Sequence, residues 1–382
     1  MNENTLRFKN GKFKIMLIGD LHEKYDLSGD KRAEKAADAV ALLNAAAEEL
    51  KPDLAVFLGD NASGHTIPEM RAVIARIMNP IEKRNIPAAV IFGNHDHDKE
   101  DEITCAEQIK LFQEHGNCLM FNADDSITGG ANYNLTIKAT DEDKDIYNLW
   151  FMDSNNLYED REFSYYDWVH EDQIEWYKKT AKALADKNGG KVLPSLLFQH
   201  APVPEEYELV RKAKFYEKLD SVPGHGKWSD TNYVLKDGVE GYMGEGPCSP
   251  CFNSGEFAAW KEVGDVRGAF FGHDHMNDFI GYVDGIMLGQ CKTAGFQPYT
   301  DGCRSGVRLI TLCENDLDKI DTSMYRFKDD FGLKSKGLSF YQSHVTDRQD
   351  IKLKTACAVV GTAAAAAVLA AGTYKIYKAI RK

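Results

Sequence analysis

Short apolar runs at positions 13–18, 54–58, 88–92, 147–152, 195–198 and 267–271 each give way at once to polar residues. Runs of this length, bounded by turn-forming residues, predict strands buried in a sheet. Apolar residues at helical spacing fill 30–50 and 68–84, and a further helical pattern covers 170–187. Strands alternating with helices predict a parallel-strand α/β sheet rather than a sandwich of hairpins. From 202 to 255, Gly, Pro and polar residues follow one another without periodicity, which predicts a long loop region able to cover or shape a pocket.

Open α/β sheets build their sites at the carboxyl ends of strands, where loops converge. In chain order those ends read Gly19-Asp20-Leu21-His22, Gly59-Asp60-Asn61, Gly93-Asn94-His95-Asp96, Gln199-His200 and Gly272-His273-Asp274-His275. Every one is a set of oxygen or imidazole donors. Carboxylates, amide carbonyls and imidazoles together suit borderline divalent ions such as Mn, Fe(II) or Zn, and argue for a catalytic rather than a structural metal site. In Asp-x-His and His-x-His the two donors sit two residues apart, so on an extended segment both project to one side. The preceding glycines let the backbone turn tightly into the site. Two ions about 3.5 to 4 Å apart can share a hydroxide, orient a phosphate and neutralise the charge that builds up in an in-line displacement.

Composition narrows the reading further. A chain of 382 residues, 43% hydrophobic, with 19 Phe and 17 Tyr, can bury a sizeable core. A net charge of -13 gives no basic field for a polyphosphate backbone, so no nucleic-acid partner is expected. Eight cysteines at irregular spacing are too sparse for a disulfide framework and read as reduced thiols.

The five blocks resemble the calcineurin-like metallophosphoesterase superfamily, whose signature runs D-x-H, G-D, G-N-H-D/E, a lone His and G-H-x-H. All five occur in order between Lys12 and Leu312. Within the superfamily the chain is similar to the purple-acid-phosphatase-related branch, which carries GDN, GNHD, GHDHxND and an N-S-G-x-F element matched by Asn253 to Phe257. The resemblance implies a four-layer α/β/β/α sandwich with two divalent metal ions. Asp20, His22 and His275 would hold one ion, Asn94, His200 and His273 the other, and Asp60 would bridge them. His95 would stay free of metal, contact the scissile phosphate and help protonate the leaving group, a role worth about 10² to 10⁴ in rate. Asp96 and Asp274 would orient the ligating imidazoles. One position departs from the purple enzymes, whose Tyr three residues after the bridging Asp binds ferric iron: here it is Ser63. No ferric charge-transfer band is therefore expected. A paired Asp that many relatives place in the second block is also missing, which leaves His97, Asp96 or Asp98 to tune His95.

The remaining candidates read more plainly. His65, His97, His115, His170, His225 and His344 match no block and are expected at the surface or at helix ends, with His225 the one to test for substrate contact. Cys248 and Cys251 have C-x-x-C spacing without the second pair that a zinc knuckle needs. Residues 355–374 carry no charge over a length that can cross about 30 Å of hydrocarbon, flanked by Lys352 and Lys354 and by Lys375, Lys378, Arg381 and Lys382. They predict a carboxyl-terminal hydrophobic helix that anchors the chain in a membrane, with an alanine-rich packing helix as the alternative. The expected organisation is a catalytic domain at 8–315, a polar tether at 316–354, the anchor at 355–374 and a basic tail at 375–382. No signal-peptide run precedes the first strand, so the catalytic domain is expected on the cytoplasmic face. The reaction expected is hydrolysis of a phosphate monoester, either a small ester or a phosphoprotein. A phosphodiesterase acting on a nucleotide or lipid-derived diester is the rival enzyme, and a catalytically silent membrane-associated scaffold the rival of another class.

Overall fold

The computed structural model describes residues 5–98, 100–218, 220–344 and 359–363. Its frame is two mixed sheets. The first has the order Asp316–Arg326, Gly306–Cys313, Lys12–Ile18, Leu54–Leu58, Ala88–Ile91. The second has the order Ile280–Val283, Ile286–Gln290, Val266–Phe271, Ser195–Gln199, Asp145–Phe151, Tyr133–Lys138. Four parallel pairs join strands predicted from the apolar runs, with crossover helices such as Arg32–Leu50 and Ile67–Glu82 between them, and a fifth pairs Val266–Phe271 with the unpredicted Ile286–Gln290. Antiparallel hairpins, which need no crossover, lie at three of the four sheet edges, and the parallel strand Ala88–Ile91 lies at the fourth.

The period of two along the strands explains how the layers stack. Leu149, Phe151, Leu196, Phe198 and Phe270 point into a large apolar cluster shared with Ile15, Leu17, Val56 and Phe57 of the first sheet. Their neighbours Trp150, Leu197, Ala269 and Phe271 point the other way, into a second cluster with Ile174 and Tyr177 of helix Glu171–Lys187 and with Phe257 and Trp260 of helix Glu256–Val263. Helices Arg32–Leu50 and Ile67–Glu82 bury their apolar stripes in the first cluster. Residues buried on both faces of the sheets account for the nearly continuous apolar runs.

Register then fixes where the loops emerge. Ile18 pairs with Phe57 and Leu58 with Ile91, so the segments starting at Gly19, Gly59 and Phe92 leave the first sheet side by side. Phe271 pairs with Gln199, which places His200 and Gly272 together at the end of the second.

Two expectations change, and a third falls largely outside the described residues. The tether expected from 316 begins instead with the edge strand Asp316–Arg326, antiparallel to Gly306–Cys313. That strand alternates polar with half-buried residues, as an edge strand facing solvent does, and so reads as a polar linker. Beyond it Phe327 and Leu338 are buried, and Asp38 accepts the amide N–H of Gly337, so the compact unit runs past 315. The expected loop at 202–255 carries a small antiparallel sheet of Val210–Lys212, Val222–Pro223 and Asn232–Leu235, with Tyr207 stacked on Trp228 at 3.8 Å. The expected hydrophobic helix at 355–374 lies outside the described residues except for 359–363, which are helical and exposed. Among the described residues no helix is long and apolar enough to cross a membrane.

Candidate metal centre

The strand-end loops of both sheets meet at one point. Asp20, His22, Asp60 and His275 bring a donor atom each to within 4.8 Å of one another, and Asp60, His200 and His273 do the same beside them. Asp60 belongs to both groups: its Oδ2 is 3.3 Å from Nε2 of His22 and 3.3 Å from Nε2 of His200. These contacts join residues 22 and 60 of the first sheet to residue 200 of the second.

Backbone geometry holds the donors in place at some cost. Asp20, His22, Asp60 and His273 have φ of 49°, 45°, 52° and 70°. This left-handed region costs a non-glycine residue about 1–2 kcal/mol, and such residues cluster at functional sites. Around them there is no room for side chains. A Cβ on Gly93 would lie 2.3 Å from Oδ1 of Asp60, and one on Gly59, itself at φ 90°, would lie 2.6 Å from Nδ1 of His200.

Carbonyl oxygens choose the imidazole tautomers. Nδ1 of His200 donates to the Leu58 carbonyl at 2.8 Å and Nδ1 of His275 donates to the Tyr299 carbonyl at 2.8 Å, which turns both Nε2 atoms toward the centre. Nε2 of His275 is 3.2 Å from Nε2 of His22, and Nδ1 of His273 is 3.1 Å from Nε2 of His200. Burial holds the His22 imidazole down to about 3 and that of His275 to about 4, and burial beside His200 lowers His273 as well. These three rings are neutral at pH 7, the form that binds metal. For His200 burial is outweighed by the carboxylates of Asp60 and Asp20, which raise it to about 10. Burial would raise Asp60 too, yet His200 and His22 hold it well below the usual carboxylate range, while burial next to that charge pushes Asp20 well above it. Acceptors outnumber donors here, and a buried side-chain oxygen of Asn94 has no hydrogen-bond partner. A pair of divalent cations fits that deficit.

The other expected residues are placed as follows. The amide N–H of His95 donates to Oδ1 of Asp60 at 2.8 Å, while its ring is half exposed and its Nδ1 lies 2.6 Å from Asp98. Asp98, not Asp96 or His97, is therefore the group that engages His95. Asp96 and Asp274 do not orient imidazoles. Asp96 accepts the amides of Asn61 and Gly93 and so ties two strand-end loops together, and Asp274 accepts Cys248 N and Asn277 Nδ2. The task expected of these carboxylates falls to backbone carbonyls, which leave no mark in a sequence. Tyr299, also unforeseen, stacks its ring 4.1 Å from that of His275. Tyr166 packs edge-on against His273 at 4.3 Å with His225 behind it, so His225 sits one ring away from the donors rather than in the cleft. His65, His115, His170 and His344 lie at the surface or at helix ends. His97 is instead buried against Asp153. Cys248 and Cys251 join no potential metal cluster among the described residues.

A cleft of about 170 Å³ opens onto the centre, lined by His22, Lys24, Asp60, Ser63, His95 and Asp98. Lys24 and Ser63 are cross-strand partners in a two-residue parallel ladder, which puts a cation and a hydroxyl where the purple enzymes have their Tyr.

Residues 13–277 match the calcineurin-like phosphoesterase family. The chain belongs to that family. Among its relatives, a protein of Arabidopsis thaliana named probable inactive purple acid phosphatase 14 is 30% identical over 342 residues, covering 82% of this chain and 78% of the relative. Probable inactive purple acid phosphatase 29 from the same plant is 29% identical over 337 residues, covering 82% and 79%. Phosphatase DCR2 of Saccharomyces cerevisiae is 26% identical over 288 residues, 70% of this chain and 45% of that protein. A dimetal phosphatase from Danio rerio superposes with a TM-score of 0.48 and 13% identity, covering 82% of this chain and 96% of that one.

Proposed function

We propose that this chain is an active dinuclear phosphoesterase that hydrolyses a phosphate monoester, a small ester or a phosphoprotein. The observation that carries the reading is the pair of donor groups sharing Asp60, with the His95–Asp98 pair at the mouth of the same cleft. Asp20, His22 and His275 are the residues to hold one ion, Asn94, His200 and His273 the other, with Asp60 common to both. The ions, when bound, supply Lewis acidity toward the phosphoryl oxygens and an activated water. The chain's own residues do the rest. Leu58 and Tyr299 hold the imidazoles in the ligating tautomer through their carbonyls. His95, steadied by Asp98, gives a proton to the leaving oxygen. Lys24 and Ser63 set a positive charge and a hydroxyl at the rim, which suits the dianionic head of a monoester better than a diester.

The names of the plant relatives bear on those proteins. Here every position of the signature keeps its donor, which is the ground for reading this chain as active. The uncharged stretch at 355–374 supports attachment to a membrane, with the catalytic unit on the cytoplasmic side. Purified protein loaded with Mn(II) should hydrolyse an aryl phosphate faster than a bis-aryl phosphate. A preference for the diester would move the reading to phosphodiesterase, and no turnover of either at full metal content would leave a silent scaffold.

A further inference from the structure

Away from the cleft, the loop that follows His95 assembles a second kind of donor set. Nδ1 of His97 lies 3.3 Å from Sγ of Cys105 and 3.5 Å from Oε2 of Glu100, and the three donor atoms fall within 4.8 Å of one another. Donors bound to one tetrahedral zinc, at about 2.0 Å for nitrogen or oxygen and about 2.3 Å for sulfur, stand roughly 3.3 to 3.6 Å apart. The two contacts to His97 already have that spacing. We propose that His97, Glu100 and Cys105 form a third metal site, selective for zinc or another thiophilic divalent ion and separate from the dinuclear centre.

Two further observations support it. Nε2 of His97 faces both oxygens of Asp153 at 3.1 Å, and Asp153 is itself held by the amides of Gly130 at 2.7 Å and Asn155 at 2.8 Å. A carboxylate behind an imidazole fixes the ring and leaves the opposite nitrogen as the ligand, the arrangement usual behind zinc-bound histidines. His97 and Cys105 are buried, whereas Glu100 is half exposed beside a cavity of about 360 Å³ lined also by Asp98, Asp101 and Arg161. That cavity provides an entry path and room for a water as fourth ligand. Cys105 is the first residue of helix Cys105–Gln113, and because burial raises its thiol above the usual range, an ion bound here would have to displace the thiol proton.

The thiolate separates this site from the nitrogen and oxygen donors of the dinuclear centre, and it lends the test its readout. Asp98, which holds His95, lies in the chain between His97 and Glu100, so an ion bound here would fix the segment that carries the partner of His95.

The full-length chain, stripped with chelator and titrated with Co(II) without oxygen, should develop a thiolate-to-cobalt charge-transfer band in the near ultraviolet that saturates at one equivalent. The band should vanish in Cys105→Ser and His97→Gln and persist in Asp60→Asn, which disables the dinuclear centre instead. By elemental analysis after zinc loading, the wild type should hold one ion more per chain than Cys105→Ser. Glu100→Gln, a change at the surface that leaves the buried packing intact, should need more Co(II) to reach the same band. A wild type with no band, or a Cys105→Ser variant that keeps it undiminished, would overturn the proposal and leave Cys105 a hydrogen-bonded thiol.

Discussion

The carboxylate of Asp98 lies 2.6 Å from Nδ1 of His95. That contact turns one ring nitrogen toward the loop and leaves Nε2 as the nitrogen available to a substrate. His95 belongs to neither of the two donor groups, so on the proposed reading it is free of metal. His95→Asn should keep two metals and lower turnover about 10²- to 10⁴-fold, while Asp98→Asn should cost less. The loss should shrink for aryl phosphates whose leaving group needs little protonation. Equal losses on aryl and alkyl phosphates, or metal lost with His95, would assign the ring to binding rather than to proton transfer.

Asp60→Asn should abolish activity and lower the metal content of both positions together, because Asp60 is the one carboxylate common to both groups. Elemental analysis with parallel turnover measurements checks this. A variant with two metals and near-normal rate would show that the ions are held elsewhere.

Gly93→Ala adds a methyl group 2.3 Å from Oδ1 of Asp60. The clash cannot be relieved by a flexible side chain, since Asp60 is buried and held by His95 N. Metal affinity and activity should fall, with a stability cost of about 1–3 kcal/mol. An alanine variant with unchanged metal binding would mean that the loops are looser than drawn.

Glu206 is fully buried and accepts from Gln290 Nε2 at 3.0 and 2.9 Å, and burial raises its carboxyl to about 8. The folded state therefore holds a proton that the unfolded state gives up near 4.5, so this group's contribution to stability falls as pH climbs from about 4.5 to about 8 and is flat above. Glu206→Gln mimics the protonated form. Its stability relative to wild type should grow across that window and then level off, as read by urea unfolding at a series of pH values. A constant difference would show that Glu206 ionises normally in the folded protein.

A chain ending at 344 should stay folded and as active as the longer one, whereas a chain ending at 315 should be destabilised and aggregate. The second truncation removes Asp316–Arg326 and bares the paired edge of Gly306–Cys313. Thermal unfolding and light scattering of the two truncations distinguish the outcomes.

Most of the parallel strands were legible because they are buried on both faces and so read as apolar runs, and the donors were legible because they follow those runs directly, but Ile286–Gln290, parallel to Val266–Phe271, was missed. Antiparallel edge strands were not legible. Asp316–Arg326 shows one face to solvent, and its charged residues look like those of a linker until its partner is known. The short strands after residue 202 owe their pairing to contacts distant in sequence. At the site, the tautomers of His200 and His275 depend on the carbonyls of Leu58 and Tyr299, and a carbonyl is the same at every position. Asp98 left a trace in its spacing of three from His95, but Asp96 and His97 are closer still in sequence. Only the turn of the loop separates them.

The division of donors between the sheets has a mechanical meaning. Asp20, His22 and Asp60 rise from the first sheet and His200, His273 and His275 from the second. Each ion would thus be a rivet through a seam otherwise closed by apolar contacts and a few hydrogen bonds such as that from His200 to the Leu58 carbonyl. Sliding of one half past the other by a fraction of an ångström would open both coordination groups at once. Loading the centre should slow amide exchange along Leu54–Leu58 and Val266–Phe271 together, so that both halves of the sandwich register whether the metals are present.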